Sequence, residues 1–122
     1  MSKNVLLIED EPNIIEAVSF ILIRDGWDVK SHSNGVDALQ AVRERNPDVV
    51  ILDVMLPGKS GFEILKEIRA DAELQGLPVL MLTARGQEKD KEQASDAGVS
   101  RYMTKPFSNT ELRNAVTELA GR

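Results

Sequence analysis

The chain has 122 residues, no cysteine, and 15 Lys+Arg against 20 Asp+Glu, for a formal charge of −5. That length fits one domain, spanning residues 1–122, and the absence of cysteine excludes a disulfide framework or a thiolate zinc site. A pI near 4.9 speaks against a phosphate-backbone-binding face, and the longest nearly apolar run, Ala17–Ile23, falls far short of the roughly 20 residues of a membrane span.

Val5–Ile8 is too short for a signal-peptide core and runs directly into Glu9. The expectation is a small, acidic, cytoplasmic domain that binds neither nucleic acid nor membrane directly. In chain order, Val5–Ile8 is an apolar run without polar alternation, as in a strand buried on both faces of a parallel sheet. Pro12 then suits the first turn of a helix whose stripe is Ile14, Ile15, Val18, Ile21 and Leu22, closed by Asp25-Gly26. Trp27–Lys30 alternates, which predicts a weaker strand at an edge. Val36, Leu39 and Val42 mark a second helix, ended by Asn46-Pro47.

Val49–Leu52 is a second strand of the buried kind, and Ser60 can cap a helix carrying Phe62, Ile64, Leu65 and Ile68. Val79–Leu82 is a third such strand. The segment Gln87–Ala97 is a poor helix, with only Ala94 and Ala97 apolar amid charged residues, so packing holds it weakly. Arg101–Thr104 is a short last strand. Ser108 and Glu111 form a capping-box pattern ahead of Leu112, Val116 and Leu119. The order is a fivefold βα alternation, which predicts an α/β fold: a single doubly wound parallel sheet with flavodoxin-like strand order 2-1-3-4-5.

Polar residues gather just beyond the predicted strands. The first strand ends in Glu9-Asp10, that of Val49–Leu52 in Asp53, that of Val79–Leu82 in Thr83, and the last runs into Lys105. Ligands of open α/β sheets bind at the carboxyl ends of strands, beside the point where strand order reverses. Each residue alone has a plainer reading: Glu9 or Glu11 as a helix cap, Asp53 as a turn former ahead of Pro57-Gly58, Thr83 as a cap, Lys105 as a surface lysine. Their joint placement points instead to one site. Crowded carboxylates suit a hard divalent cation such as Mg²⁺, and a metal, an ammonium and a hydroxyl around a carboxylate suit a phosphoryl group. A GxxxxGK(S/T) loop is absent from the sequence, so the phosphoryl donor must come from elsewhere.

Four segments, Val5–Glu11, Val49–Gly61, Val79–Arg85 and Tyr102–Phe107, resemble in order and spacing the receiver domain of two-component response regulators. The most specific pieces are Leu52–Gly58, Leu82-Thr83-Ala84-Arg85 and Thr104-Lys105-Pro106-Phe107, and the resemblance covers essentially the whole chain. It implies that Asp53 is the phosphoacceptor, and that Glu9, Asp10, Asp53 and the backbone carbonyl of Met55 hold Mg²⁺, for which Mn²⁺ would substitute. It implies that Thr83 is the switch hydroxyl, Lys105 the lysine that pairs with the phosphoryl group, and Tyr102 the switch aromatic. Val54, Ala84, Lys105 and Pro106 would line the phosphate pocket, with a cis Lys105-Pro106 bond. The stretch Val99-Ser100-Arg101 is more basic than is often found there.

The resemblance further implies a signalling domain rather than a general enzyme, one that catalyses only its own phosphorylation and slow self-dephosphorylation. Its donor would be a histidine kinase or histidine phosphotransfer protein. Its output would be a surface made by the Gln87–Ala97 helix, the Tyr102 strand and the last helix, read by a downstream protein, an effector domain or a second copy of the chain. Met55 and Arg85 offer no group to orient an attacking water, so a long-lived phosphoryl group is expected. Rival readings fit less well: a haloacid-dehalogenase-like phosphatase wants a second acid where Met55 stands, and a flavin module wants a phosphate loop after the first strand. A phosphorylation-independent interaction module would not need Asp10, Asp53, Thr83 and Lys105 intact. The start at Met1 and the end at Gly121-Arg122 favour a stand-alone receiver over a segment of a longer regulator.

Overall fold

A computed structural model describes residues 3–84 and 88–121. Arg85 and Gln87, which the sequence places at the pocket and at a helix start, lie outside the described residues. Strands β1 (Asn4–Ile8), β2 (Asp28–His32), β3 (Val49–Asp53), β4 (Val79–Thr83) and β5 (Arg101–Thr104) alternate with helices α1 (Pro12–Arg24), α2 (Ala38–Arg45), α3 (Gly61–Ala70), α4 (Glu88–Asp96) and α5 (Asn109–Leu119). All strand pairs are parallel and the sheet order is β2-β1-β3-β4-β5, the flavodoxin-like doubly wound arrangement.

Burial explains that order. Strands β3 and β4 are buried along their whole length, and β1 everywhere but Asn4, so each needs a neighbour on both sides and a helical layer on both faces. Strand β2 alternates and takes one edge, while β5 takes the other. One core, on the face of α2 and α3, joins Leu6, Ile8, Val50, Leu52 and Met81 to Ile64, Leu65 and Ile68. The other joins Val5, Leu7, Ile51, Leu80 and Leu82 to Val18 and Leu22 of α1 and to Leu112 and Val116 of α5. Among the described residues, no helix is long and apolar enough to cross a membrane.

Helix ends follow local chemistry. Pro12 occupies the first turn of α1, Ser60 accepts the Glu63 N–H, and Ser108 and Glu111 complete a reciprocal capping box on α5. Helix α2 ends on Asn46 in the left-handed region at φ 46°.

Two sequence expectations need correction. The second strand runs Asp28–His32 rather than Trp27–Lys30, because Trp27 is buried ahead of it and its N–H bonds the Leu22 carbonyl at the end of α1. Val36 does not belong to the apolar stripe of α2: it precedes the helix, is 63% exposed, and donates its N–H to Asn34 Oδ1. Ala38, Ala41 and Val42 bury that helix instead.

Helix α4 buries only Ala94, with Ala97 just beyond it. Its far end is held by Arg69 of α3, whose guanidinium donates to the carbonyls of Gly98, Gln75 and Leu77 and to Ser100 Oγ. Ser100 Oγ in turn accepts the Val79 N–H.

The two kinds of helix should answer differently to truncation. Ile64→Ala, in the fully buried face of α3, is expected to lower stability by about 2–5 kcal/mol. Glu92→Ala, on the exposed side of α4, should change it by less than about 0.5 kcal/mol. Urea melts of the two variants check this.

Candidate functional site

The chain leaves β1 through Glu9, Asp10 and Glu11, and this turn is built around a buried carboxylate. Glu9 has no solvent exposure; its Oε2 accepts the N–H groups of Asp10 and Glu11 at 3.1 and 3.2 Å. Its own N–H donates to the His32 carbonyl of β2 at 3.0 Å. Glu9 thereby shapes the turn that sends Asp10 outward into an exposed position.

Asp53 ends β3, where Val54 N–H continues the ladder to the Leu82 carbonyl. Its side chain is nearly buried, at 5% exposure for the residue. One oxygen each from Glu9, Asp10 and Asp53 lies within 4.8 Å of the others. Lys105 points into the same space, with Nζ 3.2 Å from Glu9 Oε1 and 3.5 Å from Asp53 Oδ1. Its backbone is fixed by a 2.7 Å bond from Lys105 N to the Thr83 carbonyl, and the Lys105-Pro106 peptide is cis.

Of the other residues expected at the site, Thr83 is buried at the end of β4 and Ala84 is exposed immediately after it. Val54 is buried, Met55 is 67% exposed on the β3–α3 loop, and Pro106 is exposed. Tyr102 is half-buried on β5 and packs against the core on the α3 side. The basic stretch before it is engaged at Arg101, which pairs with Glu118 of α5 at 3.0 Å.

One contribution has no counterpart in the sequence reading. His32 brings no side chain to the pocket, yet its carbonyl holds the Glu9 amide. A main-chain acceptor carries no side-chain signature, so residue types could not reveal it.

Burial pushes the Glu9 carboxyl up from 4.5 to about 7, and the hydrogen bond and charge of neighbouring Asp53 add to the rise. The Glu11 N–H and the Lys105 ammonium oppose it. The three clustered carboxyls match the donor set of a hard divalent cation: oxygen ligands, one of them exposed so that water can remain bound. The residues fit Mg²⁺.

Glu9 makes stability depend on pH, with a definite sign. Its folded-state value lies above the unfolded one, so folding takes up a proton between the two. The group's penalty is absent below about 4.5 and grows as the pH rises through about 7. Chelator-treated protein should therefore lose stability over that interval, and Glu9→Gln should flatten the slope. Denaturant melts at a series of pH values would show it; a metal-free protein that gains stability across the interval would contradict this assignment.

Comparison with known proteins gives a consistent picture. The family model described as the response regulator receiver domain matches residues 5–117. A protein described as a response regulator of Chloroflexus aurantiacus shares 33% identity, with a TM-score of 0.95 and complete coverage of both chains. The receiver domain of a sensor histidine kinase of Pseudomonas aeruginosa, solved with a magnesium ion coordinated in its active-site cleft, is 28% identical, with a TM-score of 0.91 and complete coverage of both chains. A chemotaxis protein of Vibrio cholerae is also 28% identical, with a TM-score of 0.90, covering 98% of this chain and 99% of its own.

Proposed function

The chain belongs to the response regulator receiver domain family, and from that premise we propose that Asp53 accepts a phosphoryl group from a phosphohistidine of a sensor kinase or histidine phosphotransfer protein. The observation that carries the proposal is the meeting of Glu9, Asp10 and Asp53 within 4.8 Å of one another, with the Lys105 ammonium 3.5 Å from Asp53. Receiver domains are signalling domains of two-component systems rather than enzymes acting on a separate metabolite.

In the transfer, an Asp53 carboxylate oxygen attacks phosphorus and forms the new O–P bond. The N–P bond of the donor breaks, its electron pair returns to the imidazole, and the neutral histidine is released after a proton exchange with water. Asp10, Asp53, the Met55 carbonyl and Glu9 would hold Mg²⁺, directly or through water, and the bound ion would neutralise charge at the phosphoryl oxygens; Mn²⁺ has the same ligand preference. The magnesium in the cleft of the Pseudomonas aeruginosa receiver domain supports this choice of metal. Lys105 compensates the negative charge that the acids concentrate, and the new phosphoryl oxygens give its ammonium a third partner besides Glu9 and Asp53. Val54, Ala84 and Pro106 line the space beside them.

The product adds about −1.5 to −2 charge at one point. The Thr83 hydroxyl, one position before exposed Ala84, then turns toward the phosphoryl group, and half-buried Tyr102 follows it inward. These moves bias the surface of α4, β5 and α5, where α4 has little apolar packing to lose. A downstream protein, an effector domain or a second copy of the chain reads that surface in the cytoplasm. At the mouth of the pocket the Met55 side chain offers neither carboxylate nor amide to align a water, so self-dephosphorylation is slow.

Incubation with Mg²⁺ and acetyl phosphate, read by intact mass, tests the assignment. Wild-type protein should gain one phosphoryl group, chelator should abolish the gain, and Asp53→Asn should remove it at once. Uptake by Asp53→Asn at the wild-type rate would overturn it. Once donor is removed, the label should outlast several minutes without a phosphatase; Met55→Glu should shorten that lifetime by supplying a group that orients water.

A further inference from the structure

The β3–α3 loop is pinned on both sides of Met55, and one of the pins comes from a segment outside the acidic pocket. On the near side, the Gly61 N–H donates to the Val54 carbonyl at 2.9 Å, and a Cβ on Gly61 would stand 2.3 Å from the Asp53 carbonyl oxygen. On the far side, the Gly35 N–H donates to the Pro57 carbonyl at 3.1 Å. Gly35 belongs to the turn between β2 and α2, and each loop turns a glycine toward the other where they meet. A Cβ on Gly35 would lie 2.4 Å from the Lys59 carbonyl oxygen; one on Gly58 would lie 2.5 Å from Val36 Cγ2. Lys59 is itself tied back to α3 by its 2.6 Å pair with Glu67.

The β2–α2 turn is firmly built. Asn34 Oδ1 accepts the Val36 N–H at 2.8 Å, and His32 Nε2 bonds Asp37 Oδ1 at 2.7 Å. The same His32 presents its carbonyl to the Glu9 amide. The 32–35 stretch of chain therefore joins the Glu9 amide, held by the His32 carbonyl, to the Pro57 carbonyl, held by the Gly35 N–H, two residues beyond Met55.

We infer that the 32–37 segment is a positioning element for the metal site: through the Gly35–Pro57 bond and the Gly35/Lys59 and Val36/Gly58 contacts, it fixes the Met55 carbonyl relative to the acids of the β1–α1 turn. This deepens the reading of the pocket as a Mg²⁺ site and rests on it. A backbone carbonyl cannot seek its metal by side-chain rotation, so its direction is set by the peptides on either side. Val54 and Pro57 have their carbonyls engaged, which restricts the two residues between them. The glycines are required by close approach; Gly58 also sits at φ +85°, where a Cβ is disfavoured.

Calorimetric titration of Mg²⁺ into metal-free protein tests the inference without any phosphoryl transfer. Gly35→Ala, whose methyl must displace the Lys59 backbone, should weaken Mg²⁺ binding about tenfold, the effect typical of groups that orient metal ligands from behind. Val116→Ala, in the core on the opposite face of the sheet, should lower the melting temperature yet leave Mg²⁺ affinity unchanged. If Gly35→Ala does not fold, Gly58→Asn decides, since Asn tolerates the left-handed region while its Cβ still meets Val36. It should weaken binding, and Val36→Ala in the same chain should restore part of the loss.

Unchanged affinity in folded Gly35→Ala, no recovery from Val36→Ala, or an equal loss in Val116→Ala would each overturn the inference while leaving the metal reading intact. Wild-type protein that takes up no Mg²⁺ would overturn both.

Discussion

A carboxylate removed from water beside two others is the constraint around which this molecule is arranged. Glu9 is fully buried, next to Asp53 and close to Asp10. Burying such a charge is costly unless it is paired and hydrogen-bonded. The fold answers with two main-chain N–H groups on one Glu9 oxygen and the Lys105 ammonium on the other. Those partners come from opposite ends of the sequence, and only the parallel sheet brings them together. The order β2-β1-β3-β4-β5 sets β1 against β3 and delivers β5 two strands away, close enough for a long lysine side chain to cross. The apolar strands therefore secure more than a core: they hold an electrostatic imbalance that isolated turns would relax.

The frame of the fold was legible in the sequence because its signals are local and repeated. Runs such as Val49–Leu52 have no polar alternation, so they demanded cover on both faces, and Ser60 and Ser108 marked helix starts through side-chain geometry that needs only a few residues. The acids and the lysine could be placed because strand ends define positions in space once the strand order is known. Legibility failed where tertiary contacts overrule a local pattern. Trp27 has the burial of a strand residue but caps the end of α1 through its N–H, which shifts β2 toward His32. Val36 has helical spacing with Leu39 and Val42, yet the Asn34 side chain holds its N–H outside the helix. The His32 carbonyl and the contact between the two loops left no trace in residue type at all, beyond glycines whose reason lies in another segment.

Function draws on the contrast between these well-determined parts and α4. The pocket is over-specified: Glu9 and Lys105 each meet more than one partner, and Asp53 is one that Lys105 meets. Helix α4 is the reverse, with one buried alanine along its length and a second just past its end. In the proposed switch, a change in charge at Asp53 would act on a site held by several partners and be expressed where little packing opposes it.

The Arg69 clamp gives that response a shape. Four hydrogen bonds tie the peptide segments at Gln75, Leu77, Gly98 and Ser100 to the end of α3, at the edge of the molecule remote from the acids. A helix anchored at one end moves as a lever rather than as a slide. In the proposed switch, displacement would be smallest beside Gly98 and would grow toward Glu88. A partner reading that proposed switch would gain most contrast by gripping the first turn of α4, while one that gripped near Gly98 would meet nearly the same surface in either state.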